Sequence, residues 1–532
     1  MTSFTVSNPS YLLSENIFFS EISLLFIPDS LYNIQHILKF QIILIMILQQ
    51  GDFFMVTFLG SIVLLIAGYA IYSKVVERIF GINDSSPTPA YTKKDGMDFV
   101  PMSWWKGSLI QLLNIAGLGP IFGAIMGALY GPAAFIWIVA GSIFAGAVHD
   151  YFSGMLSLRH NGEQFPSIVG RYLGKPAKTF INIFSILLMV LVAAAFTAGP
   201  AQLISSITPL SFMASLLIIF AYFILAAVLP VNRIIGKIYP FLGAILIFMA
   251  VSIAAALLFS DKSIPNVTLS NLHPGELPIW PLLMVTISCG AISGFHSTQS
   301  PIVSRTLKKE SDGRKVFYGA MIGEGIIALI WAAAGMTFFG GTGGLQEALA
   351  AGGPAGVVNE ISGSLLGTLG GILAILGVII LPITTGDTAL RSSRMMLSES
   401  LSSLIKMDGK WKVVITTLPV ALPTLYLATI DYSFLWRYVG WTNQVTAAVM
   451  LWTATMYLLK NNKFHWISGV PALFMTGVVS TYIFYAPEGF QMDYQLSMMI
   501  GSVITLFITG WYVYQIVKQR QLSKNNPNLK AA

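Results

Sequence analysis

The sequence predicts an all-α polytopic membrane protein with about 13 transmembrane helices, and three observations lead to that prediction. First, 55% of the 532 residues are hydrophobic and only 10% are charged, whereas a soluble domain carries about 25% charged residues. Second, apolar segments recur near the length of about 20 residues that a bilayer requires. Third, the basic residues gather in alternate loops between these segments. The net charge of +7 therefore reports membrane topology and not nucleic-acid binding.

The first 54 residues differ from the rest and form an N-terminal extension. Their apolar run, 37–48, is interrupted by Lys39 and is short for a span. One codon choice for residues 50–52 gives a bacterial ribosome-binding site just before Met55. We therefore hypothesise that native translation starts at Met55, which a peptide from residues 1–54 in N-terminal sequencing would contradict. The alternative is a poorly packed extension lying on the membrane.

From Met55 onward the apolar segments predict 13 spans. They lie at 56–73, 107–130, 132–157, 179–199, 211–229, 238–259, 279–301, 316–339, 363–387, 413–429, 434–458, 465–485 and 493–517. With this assignment, 27 of the 30 Lys and Arg residues fall on one side, and Lys39, Lys262 and Arg437 fall on the other. The positive-inside rule places the larger group, and with it the C-terminus, in the cytoplasm.

A first interruption, residues 114–120, lies inside the second predicted span; we call it the first break. It contains Asn114, Gly117, Gly119 and Pro120. Glycine loosens a helix, and proline removes a donor and clashes with the preceding turn. Backbone groups freed in a bilayer are tolerated where they line a cavity, so the segment is a candidate binding site. The alternative is that these residues only let helices pack closely, since glycine and proline are both common in membrane helices.

A second break, residues 288–301, contains Gly290, Gly294 and Pro301 with many hydroxyl groups. It lies five spans after the first break, so the two breaks enter the membrane from opposite sides. Gly/Pro-interrupted spans at matching positions of two inverted repeats indicate a transport site near the bilayer midplane. The predicted organisation is a first span with its cytoplasmic linker (55–105), two five-helix repeats (106–259 and 260–458), and two extra spans with a cytoplasmic tail (459–532). This pattern resembles the LeuT-like fold of the amino acid–polyamine–organocation transporters.

Few ionisable residues fall at membrane depth, where such residues are functional by default. They are His149, Asp150, His296 and Glu324. Desolvation of a lone carboxylate favours its protonated form, so Glu324 is a candidate proton carrier; the alternative is a structural hydrogen bond to a neighbouring helix. His149 and Asp150 are adjacent and point about 100° apart on a helix. They are candidates for contact with the substrate, and the alternative is a gate or an ion-pair network with Arg159 or His160.

Oxygen ligands gather near the inner end of the span 363–387, at Thr384, Thr385 and Asp387. Hard cations prefer such ligands. For Asp387 the alternative is a cap on a cytoplasmic amphipathic helix over residues 389–406. The single cysteine, Cys289, excludes a disulfide framework and predicts no cysteine-based metal site. The six histidines form no HExxH or comparable ligand set, so we expect no enzyme and no cofactor beyond a coupling ion.

Several segments together resemble the carbon starvation protein A (CstA) family, in its shorter members. They are GPIFGAIMGALYGP at 119–132, IFAGAVHD at 143–150, SLRHNG at 157–162, SGFH at 293–296, and YGAM at 318–321 followed by Glu324. The resemblance runs from Met55 to the ninth or tenth core span. It implies a carrier of the bacterial inner membrane, tied to proton-coupled pyruvate uptake or to peptide uptake during carbon starvation. After His296 the residues Ser-Thr-Gln-Ser-Pro depart from the family pattern, which leaves the substrate open. In LeuT-like carriers a sodium site joins hydroxyls like those of Thr384 and Thr385 to carbonyls near Ala116 and Gly117.

We therefore expect a secondary transporter that imports a small carboxylate such as pyruvate with protons, or alternatively with sodium. The expected substrate site comprises Asn114, Gly117, Gly119, Gly290, Ser293, His296, Ser297 and Thr298. The expected partners are the small-molecule substrate and the lipid bilayer, without nucleic acid. The near alternative is a peptide permease, and the alternative of another class is a non-transporting membrane nutrient sensor. A channel is less favoured, because the sequence has no repeated filter motif.

Overall fold

The structure, a computed structural model, describes residues 56–96, 98–228, 231–260, 262, 264–401, 410–430 and 432–525. The predicted N-terminal extension lies outside the described residues. Those residues form helices and no β-sheet, which confirms the all-α class. The high apolar content explains this choice, because in lipid a helix satisfies all of its backbone hydrogen bonds internally.

The first half of the described chain contains eight helices of eight residues or more. They are α1 Val56–Phe80, α2 Trp104–Ile115, α3 Gly119–Tyr130, α4 Ala133–Arg159, α5 Phe165–Leu173, α6 Lys175–Ile207, α7 Phe212–Val228 and α8 Val231–Leu258. Eight more follow among the described residues of the second half. They are α9 Ile279–Thr286, α10 Phe295–Ser304, α11 Gly319–Phe338, α12 Thr342–Ser400, α13 Lys410–Leu427, α14 Tyr432–Lys460, α15 Trp466–Tyr485 and α16 Tyr494–Asn525.

Among the described residues, eight helices are long and apolar enough to cross a membrane, or nine when the bent pair α2 and α3 counts as one span. The protein is therefore a multi-span membrane protein. Each of the 13 predicted spans overlaps a helix or a broken helix pair, but some of these helices are shorter or more polar than a typical span. Helix α14, for example, carries Thr442, Asn443 and Gln444 in succession. The number 13 and the inverted repeat stay predictions.

Both predicted breaks interrupt helices. Helix α2 ends at Ile115 and α3 begins at Gly119, and the two are bent by 60°. Helix α9 ends at Thr286 and α10 begins at Phe295, with Gly290 between them at φ +95°. A side chain at that backbone conformation would be strained, so glycine is the residue that permits this turn.

The prediction of a separate cytoplasmic amphipathic helix over 389–406 is wrong. Helix α12 runs without interruption through Asp387 to Ser400, so Asp387 does not cap a new helix. Residues 389–396 are buried and do not form an exposed face, because this end of α12 packs in the protein interior; residues 402–406 lie outside the described residues. Nearer its start, α12 carries non-helical turns at Gly353 and Gly367, both with positive φ.

The broken helices lie at the centre of the helix assembly. Helix α10 packs against α4 and α2, while α11 packs against α2 and α3. Helices α6 and α12 pack along each other beside this centre. Helix α16 lies at the periphery, and only 17% of its most apolar window is buried. The assembly therefore surrounds the two breaks with protein and exposes its outer helices to lipid.

Candidate functional site

The two breaks lie against each other through their glycines. Cys289 of the second break occupies the position that a side chain on Gly119 would need. A side chain on Gly290 would in turn meet Ala328 of α11 at 2.6 Å and would lie 3.6 Å from the backbone of Pro120. Such close backbone approach explains why glycine stands at both positions. The glycines that the sequence analysis assigned to the site thus allow the two interrupted helices to approach each other closely.

The first break frees backbone carbonyl groups, and the hydroxyl groups of α12 partly satisfy them. Thr385 Oγ1 donates to the carbonyl oxygen of Leu113 at 3.1 Å, and Thr384 Oγ1 donates to the same oxygen at 3.4 Å. Both hydroxyls also contact the carbonyl of Leu381 in their own helix. The structure therefore places Thr384 and Thr385 beside the first break. Asp387 accepts a hydrogen bond of 2.7 Å from the Tyr222 hydroxyl of α7.

The second break is held by donors from α4 and α14. Trp137 Nε1 donates to the Ile287 carbonyl at 3.0 Å, and Ser142 Oγ donates to the Gly290 carbonyl at 2.8 Å. Gln444 Nε2 donates to the Ile292 carbonyl at 3.2 Å. These bonds fix an irregular backbone that lipid alone would leave unpaired.

Asn443 caps the helix that follows the second break. Its Oδ1 accepts hydrogen bonds from the Phe295 backbone N–H at 2.6 Å and from Ser293 Oγ at 3.1 Å. This side chain pairs one of the orphan donors at the start of α10. The sequence analysis missed Asn443 and Gln444, although two adjacent amides within a predicted span were a visible signal.

Three ionisable side chains from three helices meet beside the second break. His296 Nδ1 of α10 lies 2.9 Å from Asp150 Oδ2 of α4. His296 Nε2 lies 3.4 Å from Glu324 Oε2 of α11. All three side chains are fully buried. We call Asp150, His296 and Glu324 the buried triad.

His149 extends the buried triad. Its Nδ1 lies 2.8 Å from Asp150 Oδ1, so the two adjacent residues of α4 contact each other although their helix positions differ by about 100°. The predicted alternative, a network of this pair with Arg159 or His160, does not describe their contacts. Arg159 binds Glu310 and Tyr457, and His160 binds Tyr172.

The remaining predicted substrate residues differ in whether their side chains already have hydrogen-bond partners. The Asn114 side chain is buried, and neither its donor nor its acceptor has a partner among the described residues. Ser297 and Thr298 instead bond to carbonyls of their own segment, at Gly294 and Phe295. Gly117 lies against Phe196 and Thr385. Asn114 therefore has hydrogen-bonding capacity to offer a ligand, whereas the two hydroxyls are already engaged.

The expectation of no cysteine-based metal site stays a prediction, but the fold gives Cys289 two neighbours that the sequence did not indicate. Its thiol, His296 and Glu324 each offer one ligand atom, and these atoms all lie within 4.8 Å of one another. A lone cysteine gave no reason in the sequence to expect a metal site, because the other two ligands come from positions 7 and 35 residues later. The fold brings them together.

Comparison with known proteins adds a family and named relatives. The family described as "Carbon starvation protein CstA" matches residues 53–213, 198–341 and 332–482. An "Uncharacterized membrane protein" of Haemophilus influenzae is 46% identical over 352 residues, covering 56% of this chain and 95% of that protein.

Two relatives carry names that state an activity. "Peptide transporter CstA" of Bacillus subtilis is 27% identical over 350 residues, covering 52% of this chain and 57% of the relative. "Pyruvate/proton symporter BtsT" of Escherichia coli is 24% identical over 339 residues, covering 51% of this chain and 47% of the relative. The chain thus spans about half the length of these two transporters.

Proposed function

Because this chain belongs to the CstA family of transporters, we propose that it imports a small carboxylate such as pyruvate together with protons. Its named relatives are transporters, and the family is not one of enzymes. The observation that carries the proposal is the buried triad, which joins the second broken helix to α4 and α11. The name of the E. coli relative supports both the substrate class and the coupling ion.

The buried triad suits proton coupling because its members are connected and shielded from solvent. His296 lies between two carboxylates, so a proton on any one member changes the charge that the other two experience. Ionisable groups at this depth are costly and are retained mostly for transport or proton relay. Glu324 is the proposed proton carrier, because its carboxylate accepts no hydrogen bond among the described residues. His149 and Asp150 orient His296 from α4.

The proposed substrate site lies between the two breaks. Asn114 supplies an unpaired donor and acceptor there, and His296 supplies the positive partner for a carboxylate. The glycines at 117, 119 and 290 let the interrupted backbone pack closely around this proposed site. Interrupted helices of transporters bind carboxylates at such breaks. Ser293, Ser297 and Thr298 shape the wall of this site.

Peptide uptake is the second candidate function, and a specific observation favours it. A peptide presents an ammonium group as well as a carboxylate. The two buried carboxylates, Asp150 and Glu324, offer counter-charges for such an ammonium. The Bacillus subtilis relative is named for peptide transport.

Sodium is the alternative coupling ion. Thr384 and Thr385 with the Leu113 carbonyl present three oxygen atoms within hydrogen-bonding distance. Hydroxyl and carbonyl oxygens suit a hard cation. Asp387, two residues farther along α12, is the proposed charged neighbour of this ion.

The test is uptake of labelled pyruvate and of a labelled dipeptide into proteoliposomes under imposed proton or sodium gradients. We expect pyruvate to accumulate when the outside is acidic, and a proton ionophore to abolish that accumulation. Dipeptide accumulation without pyruvate accumulation would select the second candidate. Pyruvate flux that is indifferent to both gradients contradicts coupling, and no flux of either compound favours the sensor.

We propose a location in the bacterial inner membrane with the C-terminus in the cytoplasm. The distribution of 27 of the 30 basic residues supports this orientation. A C-terminal fusion to green fluorescent protein, which folds in the cytoplasm, is expected to fluoresce. Activity of a C-terminal alkaline phosphatase fusion instead would reverse the orientation.

A further inference from the structure

Cys289 forms a cluster with His296 and Glu324, and the proposed transport cycle gives this cysteine no role. Their ligand atoms, one sulfur, one nitrogen and one oxygen, all lie within 4.8 Å of one another. The cysteine precedes the turn at Gly290, the histidine follows it, and the glutamate belongs to α11. All three residues are buried.

Two polar atoms of this cluster, His296 Nε2 and Glu324 Oε2, face each other at 3.4 Å without the geometry of a hydrogen bond. His296 Nε2 and both carboxylate oxygens of Glu324 form no hydrogen bond among the described residues. Nδ1 of the same imidazole is occupied by Asp150, so Nε2 is the nitrogen that faces Glu324. Buried polar atoms without a hydrogen bond are rare and costly. Here they converge on one space beside a thiol.

The surroundings of His296 match those of a metal-binding histidine. Such a histidine almost always uses its second ring nitrogen to bind a carboxylate, which fixes the tautomer and the ring orientation. Asp150 occupies this place at 2.9 Å, and His149 contacts Asp150 in turn at 2.8 Å. Asn443 Nδ2 lies 3.6 Å from the Cys289 sulfur and donates to it. Both the imidazole and the thiol are therefore held in position.

The donor set selects a class of metal. Zinc binds sulfur at about 2.3 Å and nitrogen or oxygen at about 2.0–2.2 Å in a tetrahedron, which places the ligand atoms about 3.5 Å apart. A pair of ligand atoms 4.8 Å apart must close by about 1.3 Å to reach that separation. Thiolate and imidazole favour zinc-like ions, whereas magnesium and calcium prefer oxygen ligands. Three protein ligands leave a fourth position open.

We propose that Cys289, His296 and Glu324 bind one divalent transition-metal ion of the zinc class, and that the bound ion arrests transport. The arrest of transport by the bound ion rests on the proposed function. An ion bound to all three residues ties both sides of the second break to α11. It also occupies His296 and Glu324, the side chains assigned to the substrate and the proton.

The binding test uses the full chain, purified on a tag without histidine, stripped with a chelator and incubated with Zn²⁺ alone. We expect one tightly bound zinc per chain by mass spectrometry of the metal content after gel filtration. Cys289→Ser and Glu324→Gln should lose this zinc while eluting at the same volume. Asp150→Asn should weaken binding by about 10- to 100-fold, the range for partners of metal-bound histidines. The matched control His273→Gln, which alters a histidine outside the cluster, should bind like the unaltered chain.

Cobalt provides a second readout that reports the ligands directly. Co²⁺ in place of zinc should show a thiolate-to-metal charge-transfer band in the near ultraviolet, and Cys289→Ser should remove that band. Zinc binding that is equal in the unaltered chain and in Cys289→Ser overturns the site. Absence of tight zinc binding to the unaltered chain overturns it as well.

The transport arm compares, for each variant, uptake with zinc to uptake of the same variant without zinc. We expect zinc to arrest uptake by the unaltered chain and by His273→Gln, and to leave the remaining uptake of Cys289→Ser unchanged. Stoichiometric zinc binding with undiminished uptake overturns the arrest. Because zinc binding is measured without any substrate, a failure of the pyruvate or proton assignment stays distinguishable from a failure of the metal site.

Discussion

The two breaks have similar residues but different chemistry. At the first break, the freed Leu113 carbonyl accepts hydrogen bonds from the neutral hydroxyl groups of Thr384 and Thr385. The second break lies beside the buried triad and is held by amide, indole and hydroxyl donors. Glycine and proline positions were thus sufficient to locate both breaks, but the neighbouring helices determine what each break can bind.

We propose that this difference gives the two halves of the proposed site separate tasks. The neutral oxygens of Thr384, Thr385 and Leu113 suit a cation or a neutral polar group. These oxygens do not gain or lose a proton, so the first break keeps the same charge. The ionisable groups around the second break change charge when they gain or lose a proton. Four predictions, from the largest expected effect to the smallest, test this division.

The largest effect is expected for Glu324→Gln at the second break. The amide keeps the size of the side chain but cannot exchange a proton, so proton-driven uptake should fall to the level of protein-free liposomes. Exchange of labelled for unlabelled substrate without a gradient should persist. Glu347→Gln, which alters an exposed glutamate of α12, is the control and should keep full uptake. Proton-driven uptake by Glu324→Gln at the unaltered rate would remove the residue from the coupling mechanism.

A smaller effect is expected for Asn443→Ala, which removes the cap of α10. The Phe295 N–H and the Ser293 hydroxyl lose their shared acceptor. An unpaired buried donor costs about 1–3 kcal/mol, so the thermal unfolding midpoint in detergent should drop. Thr453→Ala in the same helix is the matched control, because its hydroxyl bonds only within α14. If both variants unfold at the same temperature, the second break does not depend on this cap.

Thr385→Ala tests the first break. It deletes the 3.1 Å hydrogen bond to Leu113, which is worth about 0.5–1.5 kcal/mol. If sodium binds here, any stimulation of uptake by sodium should disappear while proton-driven uptake continues. Thr337→Ala in α11 is the control, since that hydroxyl bonds to its own helix. Loss of proton-driven uptake with intact sodium stimulation would reverse the roles assigned to the two breaks.

The smallest effect is expected outside the membrane, at Asp84 in the loop after α1. Burial opposes ionisation there, but hydrogen bonds from Ser311 and Glu310 together with the charge of Lys309 outweigh it and lower the pKa of the Asp84 carboxyl. A lowered pKa in the folded state contributes stability at neutral pH that is lost as pH falls through the lowered pKa.

The measurement compares thermal midpoints of the unaltered chain and Asp84→Asn across pH. We expect a small destabilisation at pH 7, because the group is mostly exposed and screened. The difference should shrink as the pH falls through the lowered pKa. A difference that stays constant down to acid pH would show that the charge of Asp84 is not responsible.

Local sequence patterns were sufficient to predict the all-α class and the positions of both breaks. Glycine and proline act on the backbone where they stand, so their effects are local. The buried triad was predicted only as separate residues. Its assembly depends on how α4, α10 and α11 are rotated against one another. Asp150 and His296 are 146 positions apart in the chain, so a local sequence pattern does not show that they meet.

Two further features depend on the tertiary fold. Cys289 gained metal-binding potential only because the second break faces α11. Helix α12 continues past the predicted membrane boundary at Asp387, because buried contacts support it as far as residue 396 and no solvent-exposed face forms there. Charge and turn residues mark membrane boundaries statistically, whereas helix length follows from packing.

The solitary thiol has a practical consequence for studying conformational change. Cys289 is the only cysteine of the chain, and it lies buried between the two breaks. A maleimide can react with it only while the surrounding helices are apart, so the alkylation rate measures how often that happens. The unaltered protein therefore carries a native, single-position reporter of how often these helices separate, and substrate, proton gradient and membrane composition can each be compared by their effect on one reaction rate.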